Sequence, residues 1–145
     1  MIALLDPSVL IALGDAGHDH EAAALRFFQN EAVPGGWATC PLTENAFLRI
    51  LSQPSYLRTL GSPAEARRIL LRLLASPGHE FWPDDASLSD TRFFPALPVS
   101  KHLTDLYLLG LAVKHGGRFA TFDQSIDASL IPGGPAAFFL IKNEG

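Results

Sequence analysis

Two features of the sequence predict an α/β fold, a three-layer α/β/α sandwich whose central sheet is mainly parallel. The chain opens on a short, continuous apolar run, residues 2–5, which is typical of a strand buried on both faces. Further short strand-like runs alternate with segments of helical periodicity as far as residue 141. Such alternation favours parallel strands with helices on both faces of the sheet.

Length and composition predict one domain spanning residues 1–145. The sequence is 48% hydrophobic and 18% charged, as in a folded globular protein. The N-terminal run lacks a basic segment, because the first basic residue is Arg26, and no run approaches the roughly 18 apolar residues of a membrane span. The single cysteine, Cys40, cannot form an intramolecular disulfide and is interpreted as a core residue. We therefore expect a cytoplasmic protein without membrane association.

The net charge of −4 argues against nucleic-acid binding through overall basicity. Five of the eleven basic residues nevertheless fall between positions 49 and 72, among them Arg49, Arg68 and Arg72. Arg68 and Arg72 share the outer face of a predicted helix. Two interpretations stay open: an ordinary solvated helix face, or a surface that contacts RNA phosphates or a protein partner.

The predicted elements follow one another with short connections, apart from one long connection rich in Asp, Ser and Pro. After the first strand, Pro7 opens a short helix that includes 9–13. The other predicted helices cover 18–30, 41–51, 63–75 and 101–115, and the other strands cover 37–40, 79–82, 118–123 and 137–141. Irregular segments are predicted at 34–36, 84–100 (with a helical turn near Leu88) and 132–135, and a helical turn at 125–130. In the 18–30 helix, Ala22 and Leu25 are expected to face inward with Phe27 and Phe28.

Four acidic residues are expected at one edge of this sheet. Asp6 and Asp123 close predicted strands, and Glu44 and Asp105 lie in the first turns of helices. In a parallel α/β fold the strand C-termini and the following helix N-termini share an edge. Glu44 and Asp105 also lie on the apolar stripes of their helices, where an unpaired carboxylate is costly.

Clustered carboxylates repel one another and are tolerable mainly around a cation. Oxygen ligands select hard ions such as Mg²⁺ or Mn²⁺, and a carboxylate-held ion of this kind suits phosphate chemistry. Hydroxyl groups next to the acids are candidates to hold them in place, namely Ser8, Thr43, Thr104 and Thr121.

Four motifs, spread over residues 1–123, resemble the PIN-domain ribonucleases and, more narrowly, the VapC toxins of bacterial type II toxin–antitoxin modules. The motifs are Leu4-Leu5-Asp6-x-Ser8-Val9-Leu10-Ile11-Ala12, Cys40-Pro41-Leu42-Thr43-Glu44-Asn45-x-x-x-Arg49-Ile50-Leu51, Thr104-Asp105-x-Tyr107-Leu108-Leu109 and Ala120-Thr121-Phe122-Asp123.

The resemblance implies a Mg²⁺- or Mn²⁺-dependent endoribonuclease that acts as a toxin. Its catalytic acids would be Asp6, Glu44, Asp105 and Asp123, with Asp6 and Asp105 as direct metal ligands. It also implies an RNA substrate, a cognate antitoxin protein and a homodimer. The chain departs from the family pattern at Pro7-Ser8, where an Asn commonly stands in place of the serine, and at Gly110, where Ala is usual.

Two other functions are alternatives to this one. A PIN-fold module that has lost catalysis would act only through an antitoxin-like partner, and the presence of all four acids argues against it. A receiver-like domain would need an acceptor aspartate near Phe81 and a lysine near Phe139, and neither is evident. Phosphate-loop chemistry is excluded because no Gly-x-x-x-x-Gly-Lys occurs.

Overall fold

A sheet of five parallel strands forms the centre of the fold in the computed structural model, which describes residues 1–143. The strands lie in the order β3-β2-β1-β4-β5, so the first strand of the chain is central. Their bounds are β1 (Ala3–Leu5), β2 (Trp37–Thr39), β3 (His79–Phe81), β4 (Arg118–Thr121) and β5 (Phe138–Leu140). The predicted three-layer architecture with a parallel sheet is confirmed.

Among residues 1–143, seven α-helical segments connect or flank these strands. They are α1 (Pro7–Gly14), α2 (Glu21–Phe27), α3 (Val33–Gly35), α4 (Pro41–Leu51), α5 (Pro63–Leu74), α6 (Leu103–Lys114) and α7 (Gly134–Ala137). Short 3₁₀ turns occupy Ser100–His102 and Ala128–Leu130. Within residues 1–143, no helix is both long and apolar enough to cross a bilayer.

Two hydrophobic cores lie on opposite faces of the sheet, because successive residues of a strand point to opposite faces. Ala3 and Leu5 of β1 pack in one core with residues of α1, α2, α4 and α5. Leu4, between them, packs in the other core with residues of α6, α7 and the 84–100 connection. All three side chains are fully buried.

The helix predicted over 18–30 is longer than expected and turns a different face inward. A π-helical turn (Phe28–Ala32) joins α2 to α3, so Pro34 and Gly35 are helical and the predicted loop is reduced to Gly36. Ala22 and Leu25 are exposed, whereas the neighbouring alanines 23 and 24 are buried beside Phe27 and Phe28. The inward assignment of Ala22 and Leu25 was wrong because four small or aliphatic residues in a row fit two alternative stripes.

The C-terminal third differs from prediction in three boundaries. Strand β4 ends at Thr121, two residues before Asp123, so strand alternation does not orient Asp123. Residues 134–137, predicted as loop and strand start, form the short helix α7, and only 128–130 of the predicted 125–130 turn is helical. Pro135 accounts for the helix at 134–137, since proline is favoured in the first turn of a helix.

The long 84–100 connection contains hydrogen-bonded turns near Leu88 and no helix before Ser100. The side chain of Phe94 packs this connection against α6. Phe94 is 3% exposed and packs against Gly110 of α6. A Cβ atom on Gly110 would lie 2.5 Å from two ring carbons of Phe94. Glycine therefore occupies the position usual for alanine because the ring needs the space.

The connection between α4 and α5 is tied to the end of α1 through Asp15. This carboxylate is 5% exposed and accepts hydrogen bonds from Arg58 Nε (2.7 Å) and Nη2 (3.0 Å), and from the Tyr56 hydroxyl. The hydrogen bonds from Arg58 hold the pKa of Asp15 below its ordinary value, with burial opposing them. The ion pair fixes the connection against the first core.

Candidate active site

Asp6 lies directly after the central strand β1 and caps helix α1. Its Oδ1 accepts a hydrogen bond from the backbone N–H of Ser8 at 3.2 Å, and its Oδ2 accepts one from Thr121 Oγ1 at 2.5 Å. The carboxylate is 6% exposed. Burial raises the pKa of Asp6, and the hydrogen bonds from Thr121 and Ser8 oppose that rise without cancelling it.

Asp123 lies beyond the end of β4 and shares Thr121 with Asp6. Its backbone N–H donates to Thr121 Oγ1 at 3.0 Å, so one hydroxyl group connects the two acidic residues. Asp123 Oδ1 accepts hydrogen bonds from the backbone N–H of Ser125 (2.9 Å) and from its hydroxyl (2.6 Å). These bonds hold the pKa of Asp123 below its ordinary value.

Asp105, in the first turn of α6, is the acid without a compensating partner. It is half-buried and makes no hydrogen bond or ion pair with any residue in 1–143. Burial, followed by repulsion from Asp6 and Asp123, raises the pKa of Asp105 to about 7. Three carboxylates from distant parts of the chain are therefore close enough to repel one another.

His102 joins this group, although the sequence analysis did not single it out. One ligand atom each of His102, Asp105 and Asp123 lies within 4.8 Å of the others. A usable signal was present, because residues three apart on a helix share a face and His102 precedes Asp105 by three. The histidine fell at the start of a predicted helix, where a polar residue has an ordinary structural explanation.

Glu44 lies at the same edge of the sheet, but it belongs to a separate set of contacts at the end of β2. Thr39 Oγ1 donates to Glu44 Oε2 at 2.7 Å and lies 2.8 Å from His79 Nε2. Because the hydroxyl proton is directed to Glu44, the histidine nitrogen is the donor in the second contact. The structure thus groups three of the four predicted acids and holds the fourth through a threonine that the prediction did not include.

The remaining predicted site residues differ in what they contact. Thr121 supports Asp6 and Asp123 as described, whereas Thr43 exchanges hydrogen bonds with the Cys40 backbone (3.0 and 3.1 Å), where it closes the N-terminus of α4. Thr104 is exposed and contacts no carboxylate among residues 1–143. Ser8 supports Asp6 through its backbone, and its buried Oγ has no hydrogen-bond partner in the described chain.

The three predicted arginine contacts lie on exposed helix surfaces. Arg49 is on α4, and Arg68 and Arg72 are on α5. Arg68 forms a solvent-exposed ion pair with Glu65 at 3.4 Å, which contributes little to stability. Contact with RNA or a partner remains a prediction for these residues.

Comparison with known proteins decides the family. The PIN domain matches residues 3–128, and the chain is 45% identical over 136 residues to Ribonuclease VapC44 of Mycobacterium tuberculosis, covering 92% of this chain and 94% of the relative. This chain belongs to the PIN-domain VapC family. It is also 42% identical over 135 residues to Ribonuclease VapC39 of the same organism, covering 92% and 96% of the two chains.

Solved VapC structures share the fold of this PIN domain at low sequence identity. VapC20 of M. tuberculosis, described as a sarcin-ricin loop cleaving toxin, superposes with a TM-score of 0.63 at 16% identity, covering 90% of this chain and 96% of that one. VapBC2 of Rickettsia felis, solved bound to a DNA fragment from its promoter, gives 0.56 at 13% identity and covers 97% of each chain. At these identities the likeness concerns the fold.

Proposed function

We propose that this VapC-family chain is a divalent-metal-dependent endoribonuclease and the toxic component of a type II toxin–antitoxin module. The observation that carries the proposal is the position of Asp105. Within residues 1–143 this half-buried carboxylate has no hydrogen bond or ion pair, and it lies near Asp6, which follows the central strand, and Asp123, which follows β4. An arrangement of this kind is unfavourable unless a cation is bound. The ribonuclease names of the VapC44 and VapC39 relatives support the same activity.

The donor set fits Mg²⁺ or Mn²⁺. Asp6 and Asp105 would be the direct ligands, and the neighbouring Asp123 would complete the set. Carboxylate oxygens are the ligands that both ions prefer, and Mg²⁺ usually keeps several waters, which an open edge of the sheet permits.

The protein side chains would act mainly by positioning. A bound ion of this type supplies a nucleophile from water at neutral pH and neutralises charge on the phosphodiester. Thr121 and the backbone N–H of Ser8 each donate to one Asp6 oxygen, so the carboxylate is held in one orientation. Glu44, held by Thr39 through Oε2, keeps Oε1 available to orient a water molecule or accept its proton.

We further propose that the chain acts on RNA, is inhibited by a cognate antitoxin protein and forms a homodimer. The first two follow from family membership and from the VapBC2 neighbour, whose name pairs a VapC protein with a second component. The homodimer follows from the family resemblance alone. Residues Arg49, Arg68 and Arg72 are the proposed contacts with RNA or a partner.

Cleavage of RNA by purified full-length protein tests the proposal. Asp105→Asn should abolish Mg²⁺- or Mn²⁺-stimulated cleavage, whereas Asp19→Asn, which changes an exposed carboxylate before α2, should leave it unchanged. Undiminished cleavage by Asp105→Asn would refute the assignment. Growth arrest that survives alanine at all four acids would instead favour a non-catalytic binding module.

A further inference from the structure

His102 stands at the point where the 84–100 connection becomes helix α6. It is the last residue of the 3₁₀ turn Ser100–His102 and the N-cap of α6, with φ −105° and ψ 4°. Its side chain is half-buried and lies with Asp105 and Asp123 in a group whose ligand atoms are all within 4.8 Å of one another. The imidazole therefore faces the acids of the proposed metal site.

The imidazole of His102 has no other structural task in the described chain. Its ring makes no hydrogen bond, aromatic stack or close ion pair with residues 1–143. Other histidines have ring contacts. His79 contacts Thr39 at 2.8 Å, and His115 contacts Asp85 at 2.9 Å and stacks on Trp82. This half-buried imidazole is therefore available to bind a metal ion.

We propose that His102 is a nitrogen ligand of the metal site and makes the site favour Mn²⁺ over Mg²⁺. This inference rests on the proposed function, because it concerns the same ion. Carboxylate oxygens bind both ions, but Mg²⁺ is a hard cation bound through oxygen, whereas the transition-metal ion Mn²⁺ also accepts an imidazole nitrogen. Adding one nitrogen to a carboxylate set therefore shifts selectivity towards manganese.

The structure brings the three donors close together. The ligand atoms of His102, Asp105 and Asp123 lie within 4.8 Å of one another, so movements of their side chains would bring all three to one ion. His102 lies directly before α6 and one turn before Asp105, whereas Asp123 follows the end of β4.

The competing explanation is that His102 acts only as a positive charge opposite Asp123. Lys101 and His102 both attract the Asp123 carboxylate electrostatically. A histidine serving in this way would remain unligated when the ion binds. Nitrogen coordination separates the two explanations directly.

Electron spin-echo spectroscopy of Mn²⁺ bound to the full-length protein tests the proposal. Wild-type protein should show coupling between a histidine nitrogen and the manganese. The coupling pattern should change when the histidines are labelled with ¹⁵N, and this measurement requires no variant. His102→Gln should lose the coupling, whereas His115→Gln, whose ring contacts Asp85, should retain it. In calorimetric titrations, His102→Gln should weaken Mn²⁺ binding more than it weakens Mg²⁺ binding.

The outcomes separate this inference from the proposed function. Manganese that binds the wild type without nitrogen coupling, or coupling that persists in His102→Gln, overturns the assignment of His102 and leaves the carboxylate site intact. Failure of the wild type to bind Mn²⁺ or Mg²⁺ at millimolar concentrations overturns both.

Discussion

Replacing Asp105 by Asn should stabilise the metal-free protein while removing its ability to bind metal. The carboxylate of Asp105 is half-buried, unpaired within residues 1–143 and repelled by Asp6 and Asp123, so its charged form destabilises the fold. Asparagine has nearly the same shape without the charge. The variant therefore separates the effect of the acidic cluster on stability from its role in metal binding.

The magnitude follows from the pKa of Asp105. A rise from 3.8 to about 7 corresponds to about 4 kcal/mol at about 1.36 kcal/mol per pH unit. Because the side chain is only half-buried, solvent screening reduces the expected gain to about 1–2 kcal/mol. Asp105 loses its proton near pH 3.8 in the unfolded chain and near pH 7 in the folded chain. The stability that protonation of Asp105 provides therefore decreases as the pH rises from 3.8 to about 7. The variant should gain little at pH 4 and most above pH 7.

Thermal or urea unfolding in the presence of a chelator, at pH 4 and pH 8, measures this gain. The exposed Asp19→Asn serves as the matched control and should change stability little at either pH. Added Mg²⁺ or Mn²⁺ at about 100 times its dissociation constant should stabilise the wild type by about 2.7 kcal/mol and Asp105→Asn by much less. If the variant is no more stable than the wild type at pH 8 without metal, the argument from unpaired charge is refuted.

Three further predictions concern the scaffold around the site. Thr121→Val should weaken metal affinity about 10- to 100-fold by freeing Asp6, and Thr121→Ser should restore it; equal affinity in the valine variant contradicts the positioning role. Gly110→Ala should lower stability, because displacing the Phe94 ring costs about 1–3 kcal/mol against a gain in helix propensity of about 1 kcal/mol; chemical denaturation measures the balance, and a net gain would show that the ring moves freely. Asp15→Asn should cost about 1–3 kcal/mol at pH 7. Since the pKa of Asp15 is lowered in the folded state, this difference should shrink as pH falls below 3.8, and a pH-independent difference would exclude the ion pair as its cause.

The strands, and the acids Asp6 and Asp123 that follow two of them, were predictable from local pattern alone. The apolar run that ends at Asp6 has no alternation, which indicates burial on both faces, and β1 is indeed central in the sheet. Asp105 was predictable as an inward-facing acid because it shares a stripe with the buried Leu108, Leu109 and Ala112. Each of these inferences uses only residues that are near one another in sequence.

The rest depended on contacts between distant segments. The hydrogen-bond partner of Glu44 is Thr39, at the end of β2, which also contacts His79 at the start of β3, and no local pattern relates these residues. The reason for Gly110 lies in Phe94, which belongs to a connection without periodicity. Thr43 was assigned to an acid because of adjacency, yet its hydroxyl is nearer to an unsatisfied backbone group at the start of α4.

The order of strands also governs when the site can exist during synthesis. The central strand is synthesised long before its neighbour β4, which supplies Thr121 and precedes Asp123. A nascent chain that stops before residue 118 has one open side on β1 and an Asp6 without its hydroxyl donor. The geometry that we propose for cleavage therefore cannot form until residue 123 has been synthesised.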